Sequence, residues 1–328
     1  MNILVFNPAI KDHAGTLNDN LGDCIIWQAV EQQLKDLFGP SAVINSISSH
    51  VAPNAQALRQ IRAAAYRFVG GTNLLGSKMR RERQWKVSGR TMAFRHPAIL
   101  MGVGWGGYQP RPDAFTRFLL KAVLSRKFLH SVRDSYSEGQ LRAAGFDNVV
   151  NTSCPTLWEW AGEPRQINCQ EPSDRVLLML TDYRRDESLD RALVHLLAGQ
   201  YKEIIFWPQG SIDPYYGSYL LFGVRNKVRI LDATMDAFEK FLATEGPLDC
   251  VGTRLHGGIK CLKAGQRSLI IEVDNRAREI ARDTSLPTVA RDDIKAIEHW
   301  TRAPQPCTVH ILKDPIDRWK QQFIVKTR

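Results

Sequence analysis

Leu248-Asp249-Cys250-Val251-Gly252-Thr253-Arg254-Leu255-His256-Gly257-Gly258-Ile259-Lys260-Cys261-Leu262-Lys263 decides how this chain is read. The apolar run Leu248 to Val251 has the character of a buried strand. Ile259 to Lys263 has that of a helix start, and the glycine-flanked segment between them is the turn. Arg254 and His256 therefore fall at a strand-to-helix turn, where backbone N–H groups and the helix dipole favour an anion. Arginine adds a planar fork of donors suited to phosphate or carboxylate. Histidine adds a side chain that exchanges protons near neutral pH. A histidine that merely caps the helix would also satisfy this pattern.

Outward from this turn, strand-like and helix-like segments alternate along the whole chain. Met1 to Phe6, Ala42 to Ile47, Tyr66 to Val69, Ala98 to Val103, Leu129 to Val132 and Asn148 to Asn151 read as strands. Helical segments at Asp23 to Phe38, Asn54 to Ala64, Pro112 to Ser125 and Ser135 to Ala144 separate them. The polar, proline-bearing stretch from Gly162 to Asp174 reads as a linker. The alternation then restarts with strands at Val176 to Leu180, Glu203 to Trp207, Lys227 to Leu231, Leu248 to Val251 and Ser268 to Ile271. An amphipathic segment, Pro315 to Val325, ends the chain. Two such sets predict an α/β protein with two doubly wound parallel sheets facing a cleft, the architecture called GT-B. The expected domains are 1–165, on the acceptor side, and 166–328, carrying the turn at 252–258, with the final helix returning to the first domain.

The chain has 328 residues, 24% of them charged and 44% hydrophobic, as expected of a soluble globular protein. No apolar run approaches a membrane span, and the N-terminus enters a strand directly instead of presenting a signal peptide. The expected location is the cytoplasm, with peripheral work at the inner membrane face. The six cysteines show no two-residue-gap pair and no histidine at zinc spacing, so neither structural disulfides nor a structural metal is expected. The net charge of +10 is compatible with an anionic partner. Its densest run, Lys78 to Lys86, reads equally as a solvated loop and as a contact for acidic lipid headgroups or a lipid-diphosphate substrate. With Trp85 as its one aromatic, it does not read as a nucleic-acid surface.

Other strand ends carry polar residues suited to ligands. Asn20 and Asp23 open the first long helix, where a helix cap alone would explain them equally well. Gly71, Thr72 and Asn73 follow the strand at Tyr66, and Gln209 follows the strand at Glu203. Arg133 follows Val132, with a surface ion pair to Asp134 as the plain alternative. Gly104 to Tyr108 adds two aromatics that could stack on a sugar, or simply pack. Cys154 precedes a proline and reads as a turn residue, not a nucleophile. The dinucleotide glycine motif and the phosphate loop with Gly-Lys-Ser/Thr are absent, which argues against nicotinamide and ATP chemistry.

Taken in order, Asn20-Leu21-Gly22-Asp23, Gly70-Gly71-Thr72-Asn73, Ser131-Val132-Arg133-Asp134, Gly252 to Gly258 and Ile271 to Arg276 resemble the polysaccharide pyruvyl transferase family. The resemblance implies a GT-B-like fold. It also implies transfer of the pyruvyl unit of phosphoenolpyruvate to two hydroxyls of one sugar, forming a cyclic ketal and releasing phosphate. It carries phosphoenolpyruvate binding to Arg133, Arg254 and His256, and less securely to Lys263. His256 is the implied proton donor and Asp23 a candidate to activate the acceptor hydroxyl. Asn20, Gly71, Thr72, Asn73 and Gln209 are expected in the surrounding loops. No cofactor or metal is expected beyond the co-substrate phosphoenolpyruvate. The acceptor is a polysaccharide or its lipid-linked precursor. Where many relatives have Asp-Pro, this chain has Cys154-Pro155, so a carboxylate role is missing there. A nucleotide-sugar glycosyltransferase of the same architecture and a non-catalytic saccharide-binding protein are the competing readings.

Overall fold

The structure is a computed structural model describing residues 1–87 and 96–324. Val325, the last residue of the expected C-terminal segment, lies outside the described residues. The chain divides into two compact units. The first contains Met1–Asn18, Ile26–Glu163 and the segment from Ile311. The second contains Asp19–Ile25 and Pro164–His310. The change at Glu163/Pro164 falls two residues before the expected 165/166 boundary. Residues 19–25 join the second unit because the Leu21 N–H donates to the Gln209 carbonyl at 2.8 Å and Ile25 packs with Leu177, Met179 and Trp207. The C-terminal helix Lys313–Gln321 groups with the first unit because Trp319 and the following Phe323 stack among Phe38, Tyr66, Phe68 and Phe128.

In the first unit, four parallel strands lie in the order Val43–Ser48, Asn2–Asn7, Tyr66–Gly70, Ile99–Met101. Near-continuous apolar runs such as Ile3 to Phe6 suit strands covered on both faces. A second parallel pair, His130–Val132 with Val149–Asn151, meets this sheet through a bridge between Val103 and Val132. The basic run is anchored. Met79, Trp85 and Val87 are buried, and Trp85 sets its edge on Phe6 at 5.3 Å. Lys78, Arg80, Arg81 and Lys86 remain exposed.

In the second unit, six strands are all parallel, in the order Val228–Ile230, Glu203–Phe206, Arg175–Met179, Asp249–Gly252, Arg267–Glu272, Thr288–Ala290. Numbered along the chain, that order is 3-2-1-4-5-6. It reverses between Arg175–Met179 and Asp249–Gly252, and ligands on such sheets bind where the order reverses, beyond the carboxyl ends of the strands. Gly252 is required at this junction, since a Cβ there would lie 2.2 Å from the Met179 carbonyl oxygen. The opening that results lets the Thr253 N–H reach the same carbonyl at 2.8 Å. The stretch read as a bare linker contains a strand, Arg165–Ile167, paired antiparallel with Cys307–Val309.

His130 shows how completely the first unit is closed. It is fully buried, accepts the Leu100 N–H at Nδ1 (3.1 Å) and donates from Nε2 to the Ser125 carbonyl at 2.7 Å, a pattern that fixes the neutral tautomer. Burial pushes its pKa down to about 4, partly offset by the bond to Ser125. The unfolded chain, with an ordinary histidine near 6.5, binds the additional proton first, so stability is full above that value and is lost as pH falls toward 4. The free energy of urea unfolding is therefore expected to decline by a few kcal/mol, as an order of magnitude, from pH 7 to pH 4.5. His130→Asn should flatten that slope while lowering stability throughout.

Candidate functional site: a strand-end recess in the second unit

Helix Leu255–Lys263 begins directly after Gly252 and Thr253, with Arg254 as its extended first cap (φ −101°, ψ 93°). The side chain of Arg254 makes no capping bond to this N-terminus, the end of a helix where backbone N–H groups and the dipole favour an anion. Arg254 and His256 are 6% and 5% exposed. They line a recess with Leu255, Asn20, Gly22, Asp23, Gln209, Tyr183 and Arg276. Every one of these residues belongs to the second unit. Tyr183 follows the first strand of the sheet, Gln209 the second, Arg254 and His256 the fourth, and Arg276 the fifth.

Arg254 is oriented by carboxylates. Its Nη2 donates to Asp213, and also reaches Asp182 Oδ1 at 3.5 Å, while Nε donates to the Leu180 carbonyl at 3.3 Å. Asp213 is 1% exposed and accepts three backbone N–H groups besides, from Asp182 (3.0 Å), Gln209 (3.0 Å) and Gly210 (2.9 Å). Burial and the neighbouring Asp213 push the Asp182 carboxyl upward, and Arg254 opposes them. These bonds use Nε and Nη2 and leave Nη1 for a ligand.

A second guanidinium faces the recess. Arg276 donates from Nε and Nη2 to Asp274, at 2.6 Å for the Nη2–Oδ2 contact, and from Nη2 to the Tyr183 hydroxyl. The two guanidinium carbons lie 5.2 Å (Arg254) and 5.4 Å (Arg276) from the Tyr183 ring centroid, so one aromatic ring serves both cations. Gln209 completes the floor. It is 1% exposed, and neither its amide oxygen nor its nitrogen has a hydrogen-bond partner. A buried amide left unpaired costs free energy, and a polar ligand in the recess would relieve that cost. Asn20 Nδ2 donates to Asp23 Oδ2 at 3.0 Å, and the Gly22 N–H donates to Asn20 Oδ1 at 3.2 Å, so this loop is held as a unit beside His256. A Cβ on Gly22 would come to 4.0 Å of His256 Nδ1.

The structure thus brings Asn20, Asp23, Gln209, Arg254 and His256 together. The other expected residues lie elsewhere. Lys263 is exposed at the last position of helix Leu255–Lys263, about 10 Å along the axis from His256, and is not among the recess residues. Gly71, Thr72, Asn73 and Arg133 belong to the first unit. There the backbone at Gly71 (φ 62°) and Thr72 (φ 51°) is left-handed and presents Asn73, whose Oδ1 accepts from Arg133 Nη2. Arg133 is wholly buried rather than in the surface ion pair considered above. Its Nε lies 3.3 Å from Asp134, Nη1 has no partner, and a Cβ on Gly104 would fall 2.3 Å from its guanidinium. Trp105 is buried and bonded to Ser77, which makes it a packing residue; Tyr108 is exposed. Cys154 is buried, and that burial pushes its thiol upward, as expected of a turn residue. Sequence reasoning missed Tyr183, Asp182 and Asp213, and it used Arg276 only as part of a motif.

Solved structures resemble this chain as a whole. The Methanocaldococcus jannaschii UDP-GlcNAc 2-epimerase, solved in complex with UDP-GlcNAc and UDP, matches with a TM-score of 0.53 at 11% identity over 98% of both chains. An S. aureus MnaA–UDP co-structure matches with a TM-score of 0.51 at 11% identity, over 98% of this chain and 93% of that one. The fold is therefore α/β of the GT-B kind, as the alternation implied. The chain belongs to the polysaccharide pyruvyl transferase family, whose model matches residues 20–275. It is thus a transferase, of a family concerned with polysaccharide pyruvylation. No curated protein matches the sequence significantly.

Gly257 sits where the recess floor has no room. A Cβ there would lie 2.5 Å from Gln209 Nε2 and 2.5 Å from Met179 Sδ. Gly257→Ala is expected to lower stability by about 1–3 kcal/mol through this overpacking. Gly199→Ala, with nothing within 4 Å on helix Glu187–Gln200, should be neutral or stabilising. Urea denaturation of the two variants reads the difference.

Proposed function

We propose that this transferase moves the pyruvyl group of phosphoenolpyruvate onto two hydroxyls of one sugar residue, forming a cyclic ketal and releasing phosphate. The observation that carries the reading is the recess itself. A helix N-terminus, two guanidiniums held by carboxylates, an unpaired buried amide and a histidine all converge at one strand-end site in a chain of this family. Phosphoenolpyruvate presents a carboxylate and a phosphate, which match two guanidiniums and the helix terminus.

In the proposed chemistry His256, as imidazolium, donates a proton to C3 of the enol, and C2 becomes electrophilic. The first sugar hydroxyl adds at C2 and gives its proton to Asp23. The second hydroxyl adds at the same carbon as the C2–O bond to phosphate breaks; phosphate leaves with the electron pair and takes up the second hydroxyl's proton, and the proton held by Asp23 returns to the neutral His256. Arg254 and Arg276 stabilise the charge that collects on the carboxylate and on the departing phosphate. Arg276 takes the second-guanidinium role within this unit. For Arg133 the family resemblance implies phosphoenolpyruvate binding; in the first unit its guanidinium is wholly buried, with Nη1 unpartnered. No cofactor is invoked beyond this co-substrate. The acceptor is a polysaccharide or its lipid-linked precursor, with peripheral action at a membrane face; no described helix is long and apolar enough to cross a membrane.

A nucleotide-sugar glycosyltransferase on this architecture would use an acidic residue to hold the nucleotide ribose, and Glu272 is the candidate. That carboxylate is engaged by Arg278 at 3.0 Å and Thr288 Oγ1 at 2.8 Å, which weakens the case for it. His256→Ala is expected to reduce phosphate release from phosphoenolpyruvate, in the presence of a pyruvylatable glycan, by about 10²- to 10⁴-fold. Unchanged turnover in that variant would remove the histidine from the mechanism.

A further inference from the structure

Helix Asp213–Leu221 and the turn that follows it have two apolar faces where a surface helix needs one. Tyr216, Leu220 and Leu221 face the core and are buried. Ile212, Tyr215, Tyr219 and Phe222, spaced by three, four and three residues, share a face and are 47%, 78%, 51% and 70% exposed. The described chain has fifteen exposed large hydrophobic side chains, and these eleven consecutive residues supply four of them, so the concentration is local. Cations border the stripe. The Arg191 guanidinium stands 4.5 Å from the Tyr219 ring centroid, and that of Arg225 stands 5.3 Å from the Phe222 ring centroid. Beneath lies a pocket of about 320 Å³ lined by Val194, Leu220, Phe222 and Val224, with Arg191 and His195 at its edge.

Exposed tyrosine and phenylalanine beside arginine is the composition that settles at the boundary between acyl chains and charged headgroups. The rings bury apolar area there while the guanidiniums meet lipid phosphate. We propose that this stripe rests in the interface of an anionic bilayer, with the pocket taking apolar chain from the same lipid phase. The position on the sheet gives the contact a purpose. Asp213, first residue of the stripe-bearing helix, is the carboxylate that holds Arg254. The stripe therefore starts at the recess and runs about 15 Å away from it along the helix. A saccharide carried on a lipid would meet the recess within a sugar or two of its headgroup. This last consequence rests on the proposed acceptor; the membrane contact itself does not.

The test is sedimentation of the full chain with vesicles of phosphatidylcholine, and of phosphatidylcholine containing roughly a third phosphatidylglycerol. The wild-type protein should bind the anionic vesicles more tightly. The double variant Tyr215→Ser, Phe222→Ser should bind at least about tenfold more weakly, since two aromatic side chains no longer leave water. Its melting temperature should match the wild type, because both residues are exposed, and it should still release phosphate with a soluble glycan acceptor. A second variant, Lys78→Ser, Arg80→Ser, Arg81→Ser in the first unit, should bind more tightly than the stripe variant does. Three results overturn the proposal: undiminished binding by the stripe variant, greater loss in the basic-run variant, or a stripe substitution that converts a dimer to a monomer without lipid. Absence of pyruvyl transfer combined with stripe-dependent vesicle binding would reject the proposed reaction and leave the membrane contact standing.

Discussion

The buried carboxylate of Asp213 holds the candidate site together. It collects the N–H groups of Asp182, Gln209 and Gly210 and the guanidinium of Arg254, and so ties the ends of three neighbouring strands to one point. A carboxylate fully desolvated in this way survives only because its lone pairs are matched by donors, one of them charged. The consequence for function is rigidity. Arg254 cannot turn away to solvent without leaving Asp213 buried and short of its cation. Its Nη1 edge is accordingly presented in one direction, which is what preorganised charge stabilisation requires. Arg276 is fixed in the same manner by Asp274, and Tyr183 lies against both cations.

Because each guanidinium already has a carboxylate partner, the recess is not simply a positive hole. Each guanidinium is neutralised by a carboxylate before any ligand arrives, and selectivity comes from direction: the guanidinium edges, a helix N-terminus and an unpaired amide converge. A ligand with one anionic group would satisfy part of this set. A ligand with a carboxylate and a phosphate close together would satisfy more, and Gln209 would regain partners for an amide that now has none.

Much of this was legible in the sequence, for a physical reason. Polar residues directly after apolar runs mark the carboxyl edge of a parallel sheet. Arg254, His256 and Gln209 were found by that rule alone, and Asp23 and Asn20 by their place at the opening of a helix. Asp182 and Tyr183 obey the same rule after the strand at Arg175, but they looked like ordinary loop residues. Their importance follows from strand order, since 3-2-1-4-5-6 sets Met179 beside Gly252, and spacing along the chain does not encode that neighbourhood. The same holds for residues 19–25, whose attachment to the second unit rests on the backbone bond from Leu21 to Gln209 and on the packing of Ile25. Lys263 was assigned from a family pattern, and helical rise carries it to the opposite end of its helix. The exposed stripe from Ile212 to Phe222 was invisible because its apolar residues are interleaved with those of the core face, and only the fold separates the two.

Binding of phosphoenolpyruvate in the recess around Arg254 and His256 is the step on which the proposed reaction depends. Thermal unfolding of the full chain with phosphoenolpyruvate, and separately with a nucleotide sugar, tests it most directly, since a ligand held only by the native state raises its melting temperature. Phosphoenolpyruvate should stabilise the wild-type protein, that stabilisation should disappear in Arg254→Ala, and the nucleotide sugar should give none. Stabilisation by the nucleotide sugar alone would contradict the proposed binding.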